Sequence, residues 1–234
     1  MSKHTGRVSV VALLVALAIG VSSSGTAISH TPKQKRQNID LLSSAHPGPP
    51  NLAVSDTAFD TRVRSHARNV KADASAVATA TCDGCAGDAT TLQVLLVRRA
   101  NTTNVDNVAT AWSNCVDCGA TALSVQVVLL YKSPVLTANN RASAVNAACE
   151  ECVSTAVAYQ LVVETDSPSG MSRADRKALE EWVEEQAALL RSGADTEEQQ
   201  RTKATEQSAD DTLDELDALV DGRTIERDVD RQTG

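Results

Sequence analysis

The chain has 234 residues, 22 Lys and Arg against 30 Asp and Glu, a net charge of −8 and six cysteines. Hydrophobic residues make up 42% of it but aromatic residues only 2%, which excludes a core built from large aromatic side chains. The acidic balance argues against nucleic acid or an anionic membrane surface as the main partner.

The N-terminus has the three-part layout of a secretory signal peptide. A basic start precedes an apolar run over residues 8–21, and small residues follow as far as Ala27. We therefore expect residues 1–27 to be removed, leaving a secreted chain or one on the extracytoplasmic cell surface. If the segment stays uncleaved, it would tether the chain to a membrane.

Composition divides the remainder into three parts. Residues 28–68 carry prolines and charges without sustained periodicity, so we interpret them as a flexible linker. Residues 69–166 hold all six cysteines and most of the aliphatic residues, which predicts a folded domain. Residues 167–234 form an acidic tail, since 18 acidic and 9 basic residues follow position 170.

The middle segment is a three-copy repeat. Its landmarks are CxxC pairs at intervals of 33 and 34 residues, namely Cys82 and Cys85, Cys115 and Cys118, and Cys149 and Cys152. Eight residues after each second cysteine stands a glutamine, which is Gln93, Gln126 or Gln160, followed by an aliphatic run. A fixed period of this size indicates one supersecondary unit that is copied and stacked.

The hydrophobic spacing changes within each copy. Upstream of the later motifs it is helical, with Val105, Val108, Ala109 and Trp112 in one copy and Ala142 and Val145 in the next. Downstream it has a period of two, over residues 123–131 and 157–163, which is typical of a strand. We therefore predict a mixed α/β fold of three helix–CxxC–strand repeats followed by a C-terminal amphipathic helix.

An all-α fold with three long helices remains the alternative, because 11 residues separate the first cysteine from the glutamine, about three helical turns. In the preferred reading, neighbouring strands in register place Gln93, Gln126 and Gln160 side by side among small residues. We expect a structural amide ladder there, with a ligand contact as the lesser option.

The CxxC-x7-Gln-aliphatic repeat resembles exported actinobacterial proteins of uncharacterised function. These are often labelled putative peptide zinc metalloprotease proteins because they occur with membrane-embedded protease-like portions. The resemblance covers roughly residues 70–190 and implies an accessory role. Two features depart from it: Cys82 and Cys85 supply a pair that the first copy usually lacks, and no His-Glu-x-x-His occurs.

The cysteines allow three chemistries. A four-cysteine zinc site would use two motifs and leave one pair over, so we expect no metal and no other cofactor. Redox catalysis is opposed by the acids beside the cysteines, which raise the thiol pKa values: Asp83, Asp117, Glu150 and Glu151. Structural disulfides are the default in exported chains. Six cysteines allow 15 pairings, and we favour the pairing within each motif.

The tail predicts one or two amphipathic helices. Ser172 to Asp175 is a capping-box-like start, and apolar residues at helical spacing follow as far as Gly193. A second such segment covers about residues 210–220.

The sequence contains no catalytic motif, so we expect no enzyme activity and no catalytic residues. The expected function is that of an exported, non-catalytic, disulfide-stabilised repeat module with a structural or binding role. Whether the chain binds a protein partner is left open, and binding of nucleic acid is not expected. The alternatives are an accessory module of a membrane peptidase-like system and a thiol–disulfide oxidoreductase.

Overall fold

The computed structural model describes residues 38–133, 135–166, 168–194, 214–215, 217–218 and 222–234. The expected signal peptide and most of the second tail segment lie outside this range. The described elements are β1 (Asn38–Ala45), β2 (Ala53–Ser65), β3 (Asn69–Ala80), β4 (Ala86–Arg98), β5 (Thr102–Ser113), β6 (Gly119–Tyr131), β7 (Leu136–Asn146), β8 (Val153–Glu164), α1 (Arg173–Ala194) and β9 (Arg223–Thr233). No helix in the described part of the chain is long and apolar enough to span a membrane.

The strands build a parallel β-solenoid of about four turns. Of the first eight strands, the odd-numbered ones form one sheet in the order β1-β3-β5-β7. The even-numbered ones and β9 form the second sheet, in the order β2-β4-β6-β8-β9. All pairs are parallel except β8 with β9. Each turn therefore has two corners. At one corner the chain passes from the first sheet to the second, and the CxxC motifs lie there. At the other corner the chain returns to the first sheet.

The predicted α/β fold of helix–CxxC–strand repeats is wrong, and so is the all-α alternative. The segments expected as helices are β5 and β7. The inward-facing residues of β5 are buried with a period of two, but all except Val105 are small or polar: Thr103, Val105, Asn107, Ala109, Ala111 and Ser113. Val108 and Trp112 lie on the outer face, and they produced the helical spacing that concealed the alternation.

The segment expected as a linker contains β1 and β2, which form the first solenoid turn and pair with β3 and β4. Its hydrophobic pattern is weak because β2 is an edge strand. At the positions in register with buried Gln93 and Leu95, β2 carries Asp60 and Arg62. The start of the repeat domain expected at residue 69 therefore falls inside the solenoid.

The space between the two sheets is narrow, and the side chains that fill it become larger from the CxxC corner to the opposite corner. Near the CxxC corner alanines of the two sheets face each other, including Ala76, Ala109 and Ala122. Toward the other corner larger aliphatic residues fill the space, including Leu95 and Val128. The sheets therefore lie against each other without aromatic side chains between them.

Helix α1 covers the outer face of β4, β6 and β8. It begins with a capping box, in which the Asp175 amide donates to Ser172 Oγ (3.1 Å) and the Ser172 amide donates to Asp175 Oδ2 (3.2 Å). Trp182 packs edge-on against Tyr159, with ring centroids 5.7 Å apart. The apolar outer face of the second sheet is thus a buried second core.

Strand β9, which the sequence analysis did not predict, closes the C-terminal end. It pairs antiparallel with β8, and Asp230 Oδ2 accepts a hydrogen bond from the Ala142 amide of edge strand β7 (2.8 Å). Its alternating charges suit a terminal strand, because charged edge strands oppose further pairing.

Replacing Trp182 by Ala should lower the free energy of unfolding by about 3–5 kcal/mol, because the cavity beneath α1 adds to the lost apolar burial. Leu189→Ala is the matched control: this side chain of the same helix is 56% exposed, and its loss should stay within about 0.5 kcal/mol. Urea unfolding followed by circular dichroism measures both. Equal losses would contradict the placement of the helix.

Asp88 supplies a pH-dependent prediction. Burial on the outer face of β4 raises its pKa above the ordinary 3.8, despite the Arg191 charge and a hydrogen bond with Thr121. The native state then binds this proton more tightly than the unfolded state, so stability is lost as pH rises through the native pKa. Asp88→Asn should therefore be more stable than the natural chain at neutral pH.

That difference should disappear as pH falls below 3.8. Denaturant midpoints of the two proteins across this pH range provide the measurement. Glu184→Gln, on the exposed face of α1, serves as the control and should change little. A gap that widens in acid would contradict the assignment.

Candidate functional site

The CxxC corner is the candidate site. Each motif pairs its own two cysteines: Cα–Cα distances are 5.4 Å for Cys82–Cys85, 6.0 Å for Cys115–Cys118 and 5.8 Å for Cys149–Cys152. None of the six is free. The three bridges stack along the solenoid because successive turns are in register.

Backbone geometry explains how the motif turns the corner. The residue before each second cysteine adopts a left-handed conformation: Gly84 (φ 67°), Asp117 (φ 52°) and Glu151 (φ 56°). The Gly84 amide donates to the Val116 carbonyl (3.0 Å) and the Asp117 amide to the Glu150 carbonyl (2.9 Å). The corners are therefore hydrogen-bonded from turn to turn, like the strands they connect.

The sulfur atoms of the second and third motifs approach each other closely. Cys118 Sγ lies 3.2 Å from Cys152 Sγ and 3.9 Å from Cys149 Sγ. Cys115, Cys118 and Cys152 place their sulfurs within 4.8 Å of one another, a spacing that would suit three thiolate ligands of one metal ion. Metal binding requires thiolates, however, and all of these sulfurs are in disulfides.

Four exposed carboxylates surround the bridges. They belong to Asp83, Asp117, Glu150 and Glu151. One of them has a structural contact, since Asp83 Oδ1 accepts a hydrogen bond from the Val116 amide (2.9 Å). Their charges disfavour a thiolate at this corner and therefore a nucleophilic cysteine.

The three glutamines form a hydrogen-bonded row inside the solenoid, on the same face as the interior alanines. Gln126 Nε2 donates to Gln93 Oε1 (2.8 Å), and Gln160 Nε2 donates to Gln126 Oε1 (2.7 Å). All three side chains are fully buried. Each amide also donates to a carbonyl of the opposite sheet, for example Gln93 to that of Ile39 (3.1 Å).

Sequence reasoning missed a second polar network beside this row. Asn107 Nδ2 donates to Asn140 Oδ1 (2.8 Å), Ser124 Oγ donates to Asn107 Oδ1 (2.6 Å), and Thr91 hydrogen-bonds to Ser124 (2.7 Å). Asn107 and Asn140 are in register on β5 and β7. Their 33-residue spacing could have indicated the row, had these segments been interpreted as strands.

A hydroxyl–imidazole pair also lies near this corner. Ser44 Oγ is 2.5 Å from His46 Nε2, and His46 Nδ1 is 2.6 Å from Thr79 Oγ1. The partner that orients the imidazole is a hydroxyl, which cannot stabilise an imidazolium as a carboxylate does. The geometry therefore does not amount to a catalytic triad.

Comparison with models of protein families, with curated proteins and with solved structures found no match to this chain.

Replacing Gln126 by Leu should lower the free energy of unfolding by about 2–4 kcal/mol, because Gln93 Oε1 loses its donor and Gln160 Nε2 loses one of its two acceptors. Gln160→Leu is the matched control. Within the row it leaves only Gln126 Oε1 without a partner, and outside the row the Asn139 carbonyl loses a donor. The Gln160 oxygen that it removes has no hydrogen-bond partner among the described residues, so about 1 kcal/mol is expected. Chemical denaturation compares the two, and equal losses would refute the ladder as an energetic unit.

Proposed function

We propose that the chain is an exported, non-catalytic β-solenoid module with a structural or binding role. Three disulfides cross-link the module at one corner. The observation that carries this proposal is the pairing of all six cysteines within their motifs, with none left as a thiol. Such bridges persist in oxidising compartments. The signal-peptide layout of residues 1–27 supports the same location.

The role of the bridges follows from the composition. Much of the interior near the CxxC corner consists of alanines and rows of polar side chains, and the alanines bury little apolar surface. Constraining three corners lowers the entropy of the unfolded chain and adds stability that this interior lacks. A rigid solenoid of this kind presents fixed rows of side chains on its outside, which suits a structural or binding module.

Thiol–disulfide exchange remains a second candidate because of one distance. With Cys118 Sγ 3.2 Å from Cys152 Sγ, a thiolate formed at Cys118 by a dithiol reductant could attack the neighbouring bridge. Cys118 would bond to Cys152 and Cys149 would leave as the thiolate. The neighbouring carboxylates weigh against this reaction, because they disfavour the first thiolate.

The test is a thiol count on the exported native protein, combined with its intact mass before and after reduction. We expect no titratable thiols, a gain of six hydrogens on full reduction, and a mature chain that begins at or near Ile28. A melt with chelator should match one without it, since no metal is expected to support the fold. Six titratable thiols with chelator-sensitive unfolding would refute the proposal, and recovery of the intact Met1 end would point to a tethered chain.

Replacing Cys149 and Cys152 together by Ser should lower the free energy of unfolding by about 2 kcal/mol or less, since so short a loop restricts the unfolded chain little. Cys152→Ser alone should be worse, because Cys149 is then left to mispair. Thermal melts and non-reducing mass analysis of both variants provide the measurement. Faster reaction of one natural pair with alkylating agents would favour the exchange alternative.

A further inference from the structure

The corner opposite the cysteines is basic. Six cationic or titratable side chains gather where even strands return to odd strands, which we call the basic corner: Arg64, His66, Arg68, Arg98, Arg99 and Lys132. They come from three successive turns of the solenoid. The CxxC corner carries four carboxylates instead, so the two corners of the solenoid have opposite charge. The net negative charge of the chain as a whole comes from its tail.

The backbone fixes this arrangement. His66 (φ 57°), Arg99 (φ 55°) and Lys132 (φ 53°) occupy the same left-handed position in successive turns. The His66 amide donates to the Arg98 carbonyl and the Arg99 amide to the Tyr131 carbonyl, both at 2.9 Å. Neighbouring turns are therefore about 4.8 Å apart, and the cations form a row at that spacing.

In the part of the chain that the structure describes, these cations have no carboxylate partner, and their contacts within the chain are weak: Arg99 lies 3.4 Å from His66 Nε2, and Arg64 donates to the Val63 carbonyl at 3.5 Å. Among the described residues, none of the five Arg and Lys side chains of the basic corner forms an ion pair, whereas nearby Arg62 pairs with Asp60. Two guanidinium nitrogens, Arg64 Nε and Arg98 Nε, are buried without an acceptor. Those two buried nitrogens are out of reach of an external ligand, but Arg68, Arg99 and Lys132 are exposed. A row of exposed like charges without carboxylate partners is unfavourable by itself and favours a bound anion.

We infer that the basic corner binds a linear, flexible, non-aromatic polymer bearing phosphate ester groups, such as a polyol phosphate. This inference deepens the proposed binding role and rests on it. Guanidinium groups match the oxygens of phosphate in a two-pronged hydrogen bond. Successive phosphates of a thin chain can follow the row, while the carboxylates of the opposite corner repel the polymer and orient its approach.

Nucleic acid fits this surface less well. Single strands are held by aromatic side chains on which bases stack, and the aromatic residue described at this corner, Tyr131, already lies beneath the Lys132 ammonium, 5.2 Å from the ring centroid. A duplex or a flat anionic membrane would extend beyond the row, where Glu164 and Asp166 are exposed in the next turn. A polymer of narrow cross-section avoids both problems.

The experiment titrates the full chain with a synthetic glycerol phosphate oligomer by calorimetry, over a series of NaCl concentrations. The basic-corner variant removes four charges: Arg64→Gln, Arg68→Gln, Arg99→Asn and Lys132→Asn. Asparagine is chosen at the left-handed positions because it tolerates them. The matched control removes four charges elsewhere: Lys71→Gln, Arg141→Gln, Arg173→Gln and Arg231→Gln. If the four-site variant does not fold, Arg99→Asn with Lys132→Asn replaces it, with Lys71→Gln and Arg141→Gln as its control.

The natural chain should bind the oligomer with an affinity that falls as salt rises, and the basic-corner variant should bind roughly tenfold or more weakly. The control should stay within about twofold. Equal losses in both variants, or no binding at low salt, would overturn the inference. So would binding of single-stranded DNA, polyglutamate or phosphatidylglycerol vesicles as tight as that of the oligomer. Absence of binding by a sample with no free thiols would refute this inference while leaving the disulfide module intact.

Discussion

Parallel pairing in register is the constraint on which the rest of the structure depends. Each strand hydrogen-bonds to the strand one repeat later, so a residue lies beside its counterpart 33 positions away, or 34 across the third motif. Any chemical property placed once per repeat therefore becomes a continuous row. The disulfides, the buried glutamines, the interior alanines and the basic corner are four such rows, produced by a single backbone rule.

Each row of side chains ends at the first or last turn, and the residues at these ends break the repeat pattern of the sequence. Gln160 is the last of the glutamines, and its Oε1 has no hydrogen-bond partner among the described residues. The position opposite it on β9 is Asp228, which as a carboxylate cannot donate. At the other end Asp60 is in register with Gln93. Charges at these two positions stop the glutamine row and discourage further strands from adding to the sheet.

The sequence alone was informative where a row carries a distinctive residue. Cysteine and glutamine spacing revealed the repeat and its period, and the hydrophobic alternation over residues 123–131 and 157–163 indicated strands β6 and β8. It failed for β3, β5 and β7 because their inward residues are mostly alanine, serine, threonine and asparagine, so the hydrophobic contrast with the outward residues is weak. It failed again for β1 and β2, whose corner has Pro49 and Leu52 where later turns have cysteines. The basic corner could not be recognised from the sequence, because its residues come together only when the solenoid turns are stacked.

The third repeat shows which parts of this architecture can change. Its one extra residue is Ala148: Asn146 still pairs with Ser113, the Ala147 amide still donates to the Ser113 carbonyl, and Glu150 lies opposite Val116. Ala148 takes a left-handed conformation (φ 50°) immediately before Cys149. The same insertion within a strand would turn every following side chain to the opposite face. Corners therefore accept changes that strands cannot, so side chains at the two corners can be altered for binding while the interior rows stay fixed.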